Sequence, residues 1–256
     1  MIVPAPIGET QALSTILVTR LEDRVVVQLN RPGVRNAINQ AMVDELHVVC
    51  AELEVSPRIL ILIGGDGVFA SGADIAELRE RTGVDAAKGI NTKLFIRIAD
   101  LPMPVIAALD GYALGGGAEL AYAADFRIGT PRVKIGNPET GLGIVAPAGA
   151  LWRLRELVGE PLAKEILLAG RVLDADEALA AHLITRVADP ADLLLAAHAL
   201  ADEIAAKDPL ATRYTKSIMS SPRGEHPRID LEAQAVLFES PEKRRRMTEF
   251  LERGRK

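Results

Sequence analysis

The stretch Pro104-Val-Ile-Ala-Ala-Leu-Asp-Gly-Tyr-Ala-Leu-Gly-Gly-Gly-Ala-Glu-Leu-Ala-Tyr-Ala-Ala124 lies near the middle of a chain of 256 residues. Residues 104–109 are apolar and predict a buried strand, whereas residues 118–124 favour a helix. Three consecutive glycines, 115–117, separate the two. Amide groups at such a helix start lack an intrahelical acceptor, and the helix dipole favours negative charge beside them. With Glu119 in the first helical turn, the stretch offers donors for an oxyanion next to a carboxylate that could move a proton.

A purely structural interpretation of the same stretch stays open. The glycines could serve only to let the helix pack closely on the strand, with Glu119 as a favourable acid in the first turn. The run is also not the dinucleotide-binding pattern G-x-G-x-x-G, because Leu120 follows where a third spaced glycine is needed.

Two other segments have related features. The apolar run Ile59–Ile63 predicts a buried strand; the glycine-rich segment 64–72, predicted to be a loop, and a helical pattern over residues 73–81 follow it. Further on, the short predicted strand 133–135 leads into Gly136-Asn-Pro-Glu139. The strand, loop and helix start around Glu119 therefore have a counterpart at residues 59–81, whereas Glu139 taken alone is better explained as a surface acid in a proline-containing turn.

Composition places the chain among ordinary globular proteins. Hydrophobic residues make up 48% and charged residues 25%, while aromatic residues make up only 4%, so an aliphatic core is expected. The net charge of −5 argues against a nucleic-acid-binding surface. Cys50 is the only cysteine, which excludes an intramolecular disulfide, and four scattered histidines argue against a metal site.

No apolar run reaches the ~18 residues that a membrane-spanning helix needs. Residues 1–10 lack a basic region followed by an apolar one, which argues against a secretory signal. A cytoplasmic location without membrane contact is the resulting expectation.

The pattern changes along the chain. Residues 13–19 and 25–29 predict a hairpin, and residues 39–54 carry a helical apolar stripe. From Leu151 helical patterns dominate, so we expect an α/β core, residues 1–190, followed by a helical region, residues 191–256. His182 stands where a glycine would suit the end of a predicted helix at 174–181, so it is interpreted as a cap with positive φ.

Three motifs taken together suggest a family. In chain order they are Phe69-Ala-Ser-Gly-Ala-Asp74, Gly115-Gly-Gly-Ala-Glu119 and Asn137-Pro-Glu139. The chain thereby resembles the enoyl-CoA hydratase (crotonase) superfamily, from Arg31-Pro to about Leu251. The resemblance implies an α/β spiral of ββα repeats with a C-terminal helical trimerisation region, residues 191–256. It further implies a homotrimer or a dimer of trimers, an acyl-CoA thioester substrate, and no metal or other cofactor, since coenzyme A is part of the substrate.

The resemblance also implies roles for individual residues. The backbone amides of Ala73 and Gly116 would form an oxyanion hole for the thioester carbonyl. Glu119 and Glu139 match the two acids of the hydratase branch, which add water across a C2–C3 double bond. Two alternatives stay open: an enoyl-CoA isomerase or related lyase that uses one glutamate, and an acyl-CoA-binding relative without turnover.

By the same resemblance, coenzyme A would be bound along one side of the site. The loop 31–38, with Arg35 and Ala37, would surround the adenine end, and Ser71 and Ile75 would lie along the pantetheine arm. Arg35 is equally well explained as a solvated loop cation.

Among the departures from the hydratase pattern, one concerns the catalytic water. Hydratases usually have a glycine eight residues after the second acid, and its amide supports the catalytic water. Here that residue is Pro147, which has no N–H. Either the water is held differently, or hydration is slow, or the reaction is another one.

Overall fold

The computed structural model describes residues 8–253. Within this range the strands β1 to β11 are Glu9–Ala12, Ile16–Arg20, Arg24–Leu29, Ile59–Ile63, Val68–Ala70, Val105–Leu109, Tyr112–Leu114, Phe126–Gly129, Lys134–Gly136, Val172–Leu173 and Arg186–Val187. The helices α1 to α12 are Gln40–Val55, Ile75–Glu80, Gly83–Ala87, Ile90–Ala99, Gly116–Tyr122, Arg155–Val158, Glu160–Ala169, Ala175–Ala180, Leu193–Ala205, Pro209–Met219, Arg228–Phe238 and Pro241–Arg253.

The larger sheet is built on buried aliphatic strands. Across the described residues its order is β1-β2-β3-β4-β6-β8-β11. The first three strands are antiparallel, which confirms the predicted hairpin, and the pairs from β3 onward are parallel. Strand β6 is buried along its whole length, as expected for a parallel strand covered on both faces.

A smaller sheet runs alongside it, with the order β10-β9-β7-β5 in the described part of the chain. Strands β5, β7 and β9 are mutually parallel. The chain passes from larger to smaller sheet three times, in the steps β4 to β5, β6 to β7 and β8 to β9, and α2 and α5 follow the first two steps. This arrangement confirms the predicted α/β spiral of ββα repeats.

Among the strands that the sequence did not predict, two lead directly into the candidate site residues. The prediction of a loop over residues 64–72 is wrong at Val68–Ala70, and the segment between β6 and α5 contains the strand Tyr112–Leu114. Both are three residues long and lie next to glycines, so neither carries a recognisable hydrophobic period. Pairing with their neighbours in the smaller sheet makes them strands.

Helix α5 lies directly against the backbone of β5. A Cβ atom added at Gly117 would stand 2.2 Å from the carbonyl oxygen of Ala70, a distance that no side chain could tolerate. At the other end of α5, the buried Arg127 guanidinium donates hydrogen bonds to the carbonyl oxygens of Ala124 (2.5 Å) and Leu183 (2.6 Å). Close packing at its start and hydrogen bonds beyond its end therefore fix the position of this helix.

The chain forms two compact units, Met1–Ala201 and Asp202–Lys256. The first unit extends beyond the boundary near residue 190 that composition suggests, because the first part of α9 is buried at Leu193, Ala197 and Ala201. In the second unit, α10, α11 and α12 leave several apolar side chains exposed. No helix among residues 8–253 combines the length and the apolar character needed to cross a membrane. His182 has a φ of 57° just after α8, which confirms its role as a cap.

Candidate active site

The ends of three parallel strands bring the predicted site residues together. Ala73 follows β5, Gly116 and Glu119 follow β7, and Glu139 follows β9. Because these strands are parallel neighbours, their carboxyl ends meet at one edge of the smaller sheet. All four residues line a single cavity of about 600 Å³.

Backbone pairing directs the amide of Ala73. On one side of it, Gly72 accepts a hydrogen bond from the Ile38 amide (2.8 Å); on the other, the Asp74 amide donates to the Ile38 carbonyl (2.9 Å). Successive groups along an extended segment face opposite sides. The Ala73 N–H therefore points away from Ile38.

Gly116 brings a second amide close to the first. It is the first residue of α5, where N–H groups have no partner within the helix. A Cβ atom added at Gly116 would lie 3.3 Å from the Ala73 nitrogen. Within residues 8–253, neither amide donates a hydrogen bond to another protein group. Both donors are thus available to an acceptor that enters the cavity.

Glu119 is buried, with 3% of its surface exposed. Its Oε1 accepts hydrogen bonds from the amides of Ala148 (2.6 Å) and Ala150 (3.2 Å). Burial raises the pKa of Glu119 to about 8; the Ala150 amide opposes the rise, and the charge of Glu139 adds to it. The carboxyl is held in place by the backbone of the loop that follows Glu139.

Glu139 begins a short 3₁₀ helix, Glu139–Leu142, and is the less buried of the two acids. Burial raises its pKa as well, opposed by hydrogen bonds from its own amide and from Asn137. Its Oε2 atom is buried and has no hydrogen-bond partner within the described chain. The two carboxyls interact, and burial raises the pKa of each. The pair therefore retains a proton near neutral pH.

The predicted coenzyme A residues fall into two groups. Ser71 and Ile75 line the cavity, and more than half of the Ile75 surface is exposed. Arg35 and Ala37 are not among the lining residues, but the Arg35 carbonyl accepts a hydrogen bond from the Ser71 amide (3.0 Å). The loop that carries Arg35 is therefore tied to the cavity wall through its backbone.

Three residues to which the sequence analysis assigned no role complete the site. Asn137 contacts Glu139 and is in turn bonded to Tyr122, which lies one helical turn after Glu119. The Thr92 hydroxyl donates to the carbonyl oxygen of Pro147, which lines the cavity. Asn137 belongs to the motif Asn137-Pro-Glu139, which gave it no role of its own, whereas no sequence signal indicated the contacts of Tyr122 and Thr92.

The fold and this cavity define a class of proteins for which solved structures exist. The crystal structure of an enoyl-CoA hydratase from Bacillus anthracis superimposes with a TM-score of 0.89 at 30% identity, covering 94% of this chain and 97% of that one. The chain belongs to the enoyl-CoA hydratase/isomerase family, whose sequence model matches residues 22–256. The resemblance inferred from the three motifs is thereby confirmed.

Individual relatives agree with this assignment. A short-chain-enoyl-CoA hydratase of Clostridium acetobutylicum is 34% identical over 252 residues, which span 94% of this chain and 96% of the relative. A crotonyl-CoA hydratase of Syntrophomonas wolfei is 35% identical over 251 residues, with the same coverage of 94% and 96%. The similarity thus extends over nearly the whole length of both relatives.

The buried carboxyl of Glu119 should lower stability as the pH rises. Its pKa is about 8 in the folded protein, against about 4.3 in an unfolded chain. Its stabilising contribution is complete below the unfolded value and is lost as the pH rises through the folded value. Replacing it by a neutral group removes this loss. We expect Glu119→Gln to gain stability relative to the wild type between pH 5 and pH 8, on the order of 2–5 kcal/mol.

Urea unfolding at several pH values measures this difference. Glu156→Gln is the matched control, because Glu156 is exposed on α6 and should leave the pH dependence unchanged. Parallel stability–pH curves for Glu119→Gln and the wild type would contradict the interpretation of Glu119 as a group that resists ionisation.

Proposed function

We propose that this protein is an enoyl-CoA hydratase that adds water across the C2–C3 double bond of a 2-enoyl-CoA thioester. One observation carries the proposal: the residues that bear two carboxyl groups and two unpaired backbone amides line a single cavity. The short-chain-enoyl-CoA hydratase of C. acetobutylicum and the crotonyl-CoA hydratase of S. wolfei, to which the chain is similar, support it. Coenzyme A would lie along Ser71 and Ile75 and towards the loop 31–38.

The amides of Ala73 and Gly116 would donate hydrogen bonds to the thioester carbonyl oxygen and so form an oxyanion hole. Addition at C3 moves negative charge onto the carbonyl oxygen, so donors fixed in advance stabilise the transition state more than the bound substrate. The low polarity of a mostly buried cavity strengthens this interaction. The carbonyl is thereby polarised, and C3 becomes electrophilic.

The glutamate pair would supply the acid–base chemistry. Water attacks C3 while one carboxylate takes its proton, and the other carboxyl delivers a proton to C2. One proton on the pair satisfies both requirements at once, and the raised pKa values of both groups keep that proton near neutral pH. The reaction changes no net oxidation state, so the proposal requires no metal or redox cofactor beyond the coenzyme A of the substrate.

Pro147 favours a second candidate function. It lies at the cavity wall and has no N–H to support a water molecule. An isomerase that shifts the double bond from C3–C4 to C2–C3 needs one glutamate to shuttle a proton and no bound water. A 3-enoyl-CoA substrate distinguishes the two: an isomerase produces the conjugated absorbance band, whereas a hydratase removes this band from a 2-enoyl-CoA.

We further propose that the protein assembles as a homotrimer or a dimer of trimers through the region 191–256. Within the unit Asp202–Lys256 several apolar side chains are exposed in the single chain, which a neighbouring copy would cover; they include Leu231, Phe238, Met247, Phe250 and Leu251. A molar mass of one chain by light scattering would refute the assembly. The cytoplasmic location expected from the sequence stays a prediction.

The two-acid mechanism predicts that each glutamate is essential. Glu119→Gln and Glu139→Gln should each lower kcat for crotonyl-CoA hydration by about 10²–10⁴, with little change in KM, because the amide keeps the shape but transfers no proton. The loss of the conjugated enoyl absorbance measures the rate, and incorporation of ¹⁸O from labelled water into the product identifies hydration.

Glu156→Gln, on the exposed face of α6, serves as the control and should keep the wild-type rate. An active Glu139→Gln enzyme would refute the two-acid mechanism. A wild-type protein that leaves crotonyl-CoA unchanged would refute the proposed hydratase function itself.

The oxyanion hole predicts a defect at Gly116. In Gly116→Ala the methyl group stands 3.3 Å from the Ala73 nitrogen, where the thioester oxygen has to enter. We expect kcat/KM to fall by about 10²–10³, with little change in melting temperature, because neighbouring atoms need to move only slightly. Gly224→Ala is the control, since its Cβ meets no atom within 4 Å. Full activity of Gly116→Ala would place the substrate carbonyl elsewhere.

A further inference from the structure

A buried amide lies behind Glu139 and has no part in the reaction described above. Asn137 directly follows β9, and only 1% of its surface is exposed. Its Nδ2 lies 3.3 Å from the carbonyl oxygen of Gly115 and 3.5 Å from Oε1 of Glu139. Its Oδ1 accepts a hydrogen bond from the Tyr122 hydroxyl (3.0 Å). The side chain therefore connects the strand end, the start of α5 and the second acid.

These contacts allow only one orientation of the Asn137 amide. The carbonyl of Gly115 accepts hydrogen bonds but cannot donate them, so the NH₂ group must face it. Oδ1 must then face Tyr122, whose hydroxyl provides the matching donor. Tyr122 is itself buried at the end of α5, so its ring has little freedom to move. The hydroxyl thus determines which side of the amide faces Glu139.

The two carboxylate oxygens of Glu139 have different surroundings. Oε1 lies at the outer limit of hydrogen-bond distance from Asn137, a separation that often shortens when substrate binds. Oε2 is buried and unpartnered among the described residues. Asn137 is therefore the side chain that anchors this carboxyl, and it does so through Oε1.

We propose that Asn137, oriented by Tyr122, is a positioning residue that fixes the Glu139 carboxyl through Oε1 and supports its ionised form. This inference rests on the proposed hydratase function. An N–H donor beside a carboxylate favours the charged state, and a carboxylate displaced by a fraction of an ångström loses its alignment with the reacting carbon. Asn137 therefore affects both the rate and its dependence on pH.

Asn137→Ala and Tyr122→Phe test the inference. Both should lower kcat for crotonyl-CoA, Asn137→Ala by about tenfold and Tyr122→Phe by less, with KM changed little. Without the Asn137 donor, the glutamate pair takes up its second proton at higher pH. The acid limb of the kcat–pH profile should thus move up by about half to one pH unit. Asp174→Ala, which removes the capping residue of α8 away from the site, should leave the acid limb in place.

A double-substitution cycle separates positioning from general damage to the fold. In a Glu139→Gln background, Asn137→Ala should cost less than about threefold more, because the group it acts through is already gone. A tenfold further loss, or unshifted acid limbs in both single variants, overturns the inference. Tyr122→Phe keeps the ring packing and so remains informative if Asn137→Ala fails to fold. Hydration by the wild type is measured first, so a failed inference is distinguished from a failed function.

Discussion

Parallel pairing of three short strands is the constraint on which the site depends. Strands β5, β7 and β9 are three residues long each, yet their pairing brings Ala73, Glu119 and Glu139 to one cavity from separate parts of the chain. The larger sheet supports this arrangement, because each short strand follows a long, buried one. A shift of register in the smaller sheet would move Ala73 or Glu139 away from Gly116 and Glu119, which share α5, while leaving most of the core intact.

The electrostatics of the site work against stability. Two carboxyl groups in one poorly solvated cavity are unfavourable when ionised, and burial raises the pKa of each. The fold accommodates this by giving Glu119 two backbone amides, from Ala148 and Ala150, at the loop that passes Pro147. Pro147, which has no N–H to donate, therefore directly precedes Ala148, whose amide donates a hydrogen bond to Glu119. The amides of this loop bind Glu119, so a catalytic water would be held mainly by the two glutamates.

The sequence predicted the glycine-rich segments and the helices after them better than the strand pairing of the smaller sheet. Glycine runs before two helices indicated where donors for an anion would lie. The family resemblance carried by the three motifs then singled out the two amides, together with Glu119 and Glu139. The cap at His182 followed from helix geometry. Strands β5 and β7 were missed, since three residues beside glycines carry no period. The Asn137–Tyr122 contact could not be predicted, because it joins residues that only the tertiary fold brings together.

The peptide between Gly115 and Gly116 has a consequence for the energetics of the proposed reaction. Its carbonyl accepts hydrogen bonds from the Glu119 amide (3.0 Å) and from Asn137 (3.3 Å), so the plane of this peptide is held on one side. In a trans peptide the N–H of Gly116 then points the opposite way. This dipole is aligned before any substrate arrives, and little reorganisation energy remains to be supplied during the chemical step.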